Sequence, residues 1–457
     1  MNKPILVLVP ILFLALSWLI VSHTFSFGVP VIRDPNLKLQ LVYKGFDHAT
    51  SMVILDHGDI LVAEKQGKVL RIVGNNITGN QVLDISTVVN STGERGLLAI
   101  EALKHKNIGK SADKKNNTQY IYLLFTEPSN NTLNDSACFF KNCKVKVEYV
   151  NSVYRYIFTD GKLKNPKLMS QISLYSNNSI NHIGGALAID SNNRLFFTTG
   201  DGGHCEYLEN CTSETSIGKD KNSSQVRAGG IFFVPEDAAD YKNMRKNNFQ
   251  QYGYGIRNSF GLDFDPITGN LWDTENGPTF GDEINLVRPG FNSGLPEIQC
   301  VWQITNKSDL KDTPDSGLSK GYYLSDNSHQ NNVPETFDFH GKGKYSAPEF
   351  TWNDTVGVTS IKFFNSDKLG KKYENNLFVG TFNGNIYHFK MDKNREQLLL
   401  DGQLKDKIAN NDDELNDALF ASGLTPIGVT DLEVGPDGYL YALSFGSHGS
   451  IYKVTPK

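Results

Sequence analysis

ALAIDSNNRLFFTTGDGG, residues 186–203, holds the fold in miniature: an apolar strand, a turn, a second apolar strand and a glycine-rich exit. Alternation such as Leu195 and Phe197 suits a strand with a buried face, and aromatic residues fit a pleated surface. Asp190, Asn192 and Asn193 supply the turn, because short polar side chains bond the nearby backbone there. A lone hairpin of this kind cannot bury its own faces. The unit recurs as MVILDHGDILVAEKQGKVLRIV (52–73) and, spread out, as LLAIEAL, YIYLLFTEP and VYRYIF from residues 97, 120 and 153. It returns as GLDFDPITGNLWDTENGP (261–278), as SIKFF with NLFVGTFNGNIYHFKM (360–364 and 376–391), and as DLEVGPDGYLYALSFGSHGSIYKV (431–454). Six such units predict an all-β chain, a six-bladed β-propeller that stacks them radially over residues 39–457. A pair of β-sandwiches would explain the strands without the repeat. No long stretch keeps a 3.6-residue apolar period, so a helical domain is not expected.

The totals agree. The 457 residues include 41 glycines, aromatic residues make up 11%, and the formal net charge is −5. That charge is spread without a basic stripe, which argues against a nucleic-acid partner. Ahead of the repeats, Lys3 precedes an apolar run over residues 4–21 broken only by Ser17. A positive end followed by such a run is an export signal. A cleaved signal peptide and a retained membrane anchor both fit residues 1–26, and Lys3 on the inner side places the rest outside the cytoplasm in either case. Membrane contact is expected only through that segment. Asn-x-Ser/Thr sequons, among them Asn90, Asn116, Asn130 and Asn353, suit a glycosylated exterior. Of five cysteines, Cys138 with Cys143 and Cys205 with Cys211 suit short disulfide loops in an oxidising compartment, leaving Cys300. His204, Cys205 and Cys211 match no common zinc spacing.

Four segments are similar to one family. They are ERGLLAIEAL (94–103), NHIGGALAIDSNNRLFFTTGDGG (181–203), YGYGIRNSFGLDFDPITGNLWDTENGPTFGDEINLVRPGFNSG (252–294) and GPDGYLYAL (435–443). Together they resemble the soluble glucose/sorbosone dehydrogenases, whose members include pyrroloquinoline-quinone-dependent aldose dehydrogenases. The resemblance implies oxidation of an aldose at its anomeric hydroxyl, hydride passing to the quinone and electrons on to an external acceptor. It implies His182 as the base, and an imidazole titrates near neutral pH, as that role requires. Arg257 and Asn258 match cofactor-contacting positions, and a guanidinium suits a planar anion. The backbone carbonyls of Gly277 and Pro278 match a calcium site, which suits a hard cation. Glu94, Arg95 and Asn181 fall in slots that contact sugar. Asp201 reads as a residue that orders its turn.

The sequence also departs from that pattern. Where well-studied members place an Asp before the base, Asn181 stands here. The slots for basic residues that clamp the quinone's carboxylates fall at Asn383, Gly428 and Thr430. Substitute cations could come from Arg95, Lys342, Lys344 or loop lysines. Two functions stay open: a calcium- and quinone-dependent sugar dehydrogenase, and a non-catalytic extracellular propeller that binds glycans or proteins. A propeller lactonase would need carboxylates converging on a metal, and no such set is evident.

Overall fold

The computed structural model describes residues 30–74, 76–77, 81–103, 119–129, 148–174, 180–203, 229–234, 249–295, 299, 344–424 and 427–457. The leader over residues 1–26 and Cys138, Cys143, Cys205, Cys211 and Cys300 lie outside them, as does Lys342. Among the described residues no helix is long and apolar enough to cross a membrane.

The described strands form an all-β propeller, grouped into six sheets. The first begins with Ala49–Ile54, Ile60–Glu64 and Lys68–Val73, the second with Leu97–Ala102 and Gln119–Pro128. The third begins with Leu187–Ile189 and Leu195–Thr199, the fourth with Ser259–Phe264 and Leu271–Glu275. The fifth begins with Val358–Phe364 and Asn376–Thr381. The sixth joins Val429–Val434, Leu440–Ser444 and Gly449–Pro456 to Leu37–Phe46 from the other end of the chain. In each sheet the opening strand is an edge, and the next strand runs antiparallel beside it.

Local chemistry sets the hairpins. The Asp190 carboxylate accepts the backbone N–H groups of Asn192 and Arg194, at 2.9 and 2.8 Å, and Asp265 accepts that of Ile267 at 2.9 Å. These side chains fold the chain back before any distant contact forms. The second strands Ile60–Glu64, Leu195–Thr199, Leu271–Glu275 and Leu440–Ser444 are buried along their whole length. Both faces of such a strand are covered, so the apolar residues at its start and the polar ones at its end, as in LWDTE over Leu271–Glu275, are buried alike.

What covers them is the neighbouring sheet. Six apolar clusters occupy the six junctions, from Leu61, Leu97 and Leu123 between the first and second sheets to Phe46, Val62 and Leu443 between the sixth and first. Burying one Leu, Ile or Phe contributes roughly 1.5–3 kcal/mol, so these clusters dominate the stability of each junction. Polar bonds then fix how neighbouring sheets seat, at about 1 kcal/mol each. Thr50 Oγ1 donates to Leu97 O at 2.7 Å, Thr198 Oγ1 to Ser259 O at 2.8 Å, and Thr430 Oγ1 to Ala49 O at 3.1 Å. Thr359 Oγ1 reaches Val429 O, Asn151 Nδ2 reaches Ile183 O at 2.9 Å, and Asn276 Nδ2 reaches Val358 O at 2.9 Å. One such bond crosses every junction, and together they close the ring.

The opening strands line the axis. Five of them carry a register shift near the start, which sets Thr50, Leu98, Phe260, Thr359 and Thr430 apart from the ladder. A bulge of this kind re-aims a side chain, and all five residues line one central cavity.

Candidate active site

The cavity measures about 550 Å³, within the ordinary size range for a small-molecule site. Its residues come from the inner strands, the approaches to them, and the turns that follow the second strands. Antiparallel pairing puts those approaches and turns at the same end of the ring. Glu94, His182, Arg257, Asn258 and Gly357 arrive from the approaches; Lys65, Gly277, Pro278, Phe382 and Phe445 arrive from the turns.

His182 is buried at the cavity wall, with φ of 52° in the left-handed region. Its loop lies tight against the turn after Leu195–Thr199. A Cβ on Gly200 would stand 2.1 Å from His182 O, and one on Gly184 would stand 2.7 Å from Gly200 N. Only glycine permits that approach. The close fit brings His182 Nδ1 to 2.8 Å from Asp201 Oδ1, and both side chains are buried. Asp201 Oδ1 also accepts the Gly203 N–H at 2.8 Å, and the Asp201 N–H donates to Arg257 O at 2.8 Å. The turn reading of Asp201 is therefore incomplete: the same carboxylate orders the turn and holds the imidazole. A buried carboxylate stabilises an imidazolium, so the charge missing at Asn181 arrives from residue 201.

Arg257 and Asn258 join His182 through this framework. The Arg257 N–H donates to Glu275 Oε1 at 2.5 Å, while its guanidinium reaches Asn276 O at 2.9 Å and Gly277 O at 2.7 Å. Asn258 Oδ1 accepts the Gly184 N–H at 3.0 Å, and its amide donates to Glu94 Oε2 at 3.2 Å. Glu94 Oε2 in turn accepts the Ile183 N–H at 3.3 Å. Both ends of the Asn258 amide are thus used to hold the loop that carries His182. The Gly277 N–H donates to Asp282 Oδ1 at 2.9 Å, and Asp282 Oδ2 accepts from Val356 and Gly357 at 2.8 Å each. Those bonds fix the Gly277–Pro278 turn from behind. Burial pushes the carboxyls of Asp282 and Glu275 up from their ordinary range.

Two expected sugar contacts sit elsewhere. Arg95 is buried with its guanidinium 4.0 Å over the Tyr149 ring, and Asn181 is exposed; neither lines the cavity. Lys344 lies exposed in the short strand Lys344–Tyr345 and does not line it either. At the three slots lacking cations, Asn383 Oδ1 accepts the Thr381 hydroxyl at 2.6 Å and Thr430 bonds Ala49 O. Gly428 has φ of 136°, and a Cβ there would meet Phe382 O at 2.1 Å. No side chain of any charge fits that position. Phe382 and Phe445 line this part of the cavity instead, with ring centroids 6.2 Å apart.

Deeper in the cavity a charged set drew no notice in the sequence. Lys362 Nζ lies 2.8 Å from Glu433 Oε1 and 3.5 Å from Asp263 Oδ1. Nearby, Asp431 Oδ2 accepts the Met52 N–H at 2.7 Å and the Ser51 hydroxyl at 2.9 Å. Burial, and then Glu433, push the Asp431 carboxyl above its ordinary range. The native state therefore keeps a proton that the unfolded chain releases near 3.8, the ordinary value for an aspartate. Stability is then greatest in acid and falls as pH rises toward the native pKa. In urea titrations between pH ~4.5 and ~7.5, Asp431→Asn is expected to flatten this fall, whose slope is at most about 1.4 kcal/mol per pH unit for one proton. An unchanged slope would remove Asp431 from that role.

Among the described residues no group of three or more His, Cys, Asp or Glu side chains could hold a metal ion. A cation in this cavity would rely on carbonyls and on its ligand, and Gly277 and Pro278 are on the wall. Carbonyl oxygens of that turn suit a hard cation, and Gly277 O also accepts from the Arg257 guanidinium at 2.7 Å.

Residues 46–330 match the sequence profile of glucose/sorbosone dehydrogenases, and the chain belongs to that family. It is 30% identical over 284 residues to the aldose sugar dehydrogenase YliI of Escherichia coli (strain K12), an alignment covering 61% of each protein. It is 27% identical over 257 residues to quinoprotein glucose dehydrogenase B of Acinetobacter calcoaceticus, covering 52% of this chain and 48% of that one. The chain thus spans about three fifths of the first relative's length and about half of the second's. The crystal structure of the soluble aldose sugar dehydrogenase from E. coli in its apo form shares the fold. Its TM-score is 0.60 at 21% identity, over 92% of this chain and all of that one.

Proposed function

We propose that this chain is a quinone-dependent sugar dehydrogenase that oxidises an aldose at its anomeric hydroxyl. One observation carries the reading: His182, held by Asp201, faces the same cavity as Arg257, Asn258 and the Gly277–Pro278 turn. With Nδ1 donating to Asp201, the Nε2 lone pair is the basic site of the ring. His182 Nε2 removes the hydroxyl proton, and Asp201 stabilises the resulting imidazolium. Arg257 and Asn258 would border the cofactor, pyrroloquinoline quinone, while Gly277 O and Pro278 O would hold calcium. When bound, the quinone supplies the hydride acceptor and calcium polarises its carbonyl. Glu94 fixes the His182 loop at Ile183 and orients Asn258.

We read the six sheets as six blades of one domain over residues 39–457, and place the protein outside the cytoplasm on the strength of its leader. Electrons then leave to an external acceptor. The test is reconstitution of the purified protein with calcium and the quinone, followed by dye reduction with a panel of aldoses. Turnover is expected; absence of both quinone binding and turnover would sink the reading. Gly428 favours a second reading, because no clamp cation fits there. A propeller that binds glycans without redox chemistry would bind sugars with no dye reduction.

A further inference from the structure

The cavity holds three cations among its described residues, and two of them are already answered. Lys362 is paired with Glu433 and Asp263, and Arg257, which donates to two backbone carbonyls, has the carboxyls of both Glu275 and Asp282 close enough to feel its charge. Lys65 differs. It follows strand Ile60–Glu64, and its stem passes over Gly96, where a Cβ would stand 2.6 Å from Lys65 Cγ. Its Nζ donates to Ser91 O at 3.1 Å and to Gly93 O. Both partners are neutral. Among the described residues no carboxylate lies within ion-pair distance of it, and Glu94 acts on it only from farther away.

An ammonium carries three donors, and two of these are used. A partly buried cation answered only by carbonyls keeps its charge available to an anion. The third donor and the uncancelled charge stand at the wall of a ligand-sized cavity. At the turns of the fifth and sixth sheets the wall is Phe382 and Phe445, Gly428 beside them admits no side chain, and the one lysine of those sheets on the wall, Lys362, is already paired.

We propose that Lys65 is the anion-receiving group of this cavity, its ammonium taking a carboxylate of the bound ligand. It stands in the first sheet and serves in place of cations at residues 383, 428 and 430. The inference deepens the dehydrogenase reading and rests on it for the identity of the cavity. A carboxylate could belong to the quinone or to an acidic sugar such as a uronic acid, and the two sources are separable.

The variants are Lys65→Gln, which keeps a donor for the Ser91 and Gly93 carbonyls, and Lys65→Met, which keeps only the stem. Pyrroloquinoline quinone is titrated with calcium into the quinone-free protein and followed by absorbance, alongside calorimetry with D-glucuronate and D-glucose. If the carboxylate is the quinone's, both variants raise its Kd by roughly 10- to 100-fold and flatten its salt dependence. If it is the sugar's, quinone affinity stays put while glucuronate binding weakens and glucose binding does not. Unchanged affinity for both acids overturns the proposal. So does loss in Lys65→Met alone, which would mean that Lys65 merely holds its loop. A wild-type protein that binds no quinone defeats the dehydrogenase reading, and the glucuronate arm still decides Lys65.

Discussion

Replacing His182 with Asn is expected to lower sugar-dependent dye reduction by roughly 10³-fold, because a positioned base contributes about 10²–10⁴. Asn is the informative choice. Residue 182 sits at a φ of 52°, a conformation that Asn tolerates better than Ala, so strain in the backbone stays small. The carboxamide cannot take a proton at neutral pH, yet it can still bond Asp201. Absorbance titration should find quinone affinity within about threefold of wild type, since a neutral imidazole carries no net charge to attract an anion and its loss removes none. Retention of more than about a tenth of the activity would remove His182 from the base role.

The second large effect is expected at Asp201. Asp201→Asn preserves shape, and because Asp201 Oδ1 meets both the His182 ring and the Gly203 N–H, the amide oxygen takes that place and keeps both bonds. The tautomer is unchanged, and what is lost is the negative charge that stabilises the imidazolium. A neighbouring charge shifts a titrating group by ~1–3 pKa units, so kcat is expected to fall by roughly 10- to 10³-fold. A residue that only stabilised the turn would change unfolding and leave the ring's titration alone. Nitrogen NMR of the His182 ring across pH separates the two: the ring should protonate at lower pH in the variant, with KM for sugar little altered. A ring that titrates as in the wild type would contradict the positioning role.

The propeller was legible because its cause is local. Asp190, Asp265 and Asp437 punctuate hairpins whose apolar strands need cover on two faces, and repetition of that need implies stacking. His182, Arg257, Asn258, Gly277 and Pro278 could also be named, since each lies in a continuous motif and all line one cavity. What the sequence hid depends on which side of a turn faces the axis. Asp201 looked like a turn residue because TTGDGG explains it locally; its bond to His182 spans two separate loops. Arg95 neighbours a true lining residue, Glu94, yet turns onto Tyr149. Lys65 sits in AEKQGKV, a run that resembles any solvated hairpin. Nothing along the chain says that its stem crosses Gly96 into the cavity.

Strand Leu37–Phe46 pairs with Gly449–Pro456, the last of the described strands. On a ribosome, the partner that completes the final sheet is therefore made some four hundred residues after the first. Until then Leu37–Phe46 is an unpaired edge, and the site's walls lack a common centre. The cavity's walls come together late, once Leu37–Phe46 finds its partner. Deleting only Gly449–Pro456 would then be expected to abolish the proposed turnover without removing one residue of the cavity wall.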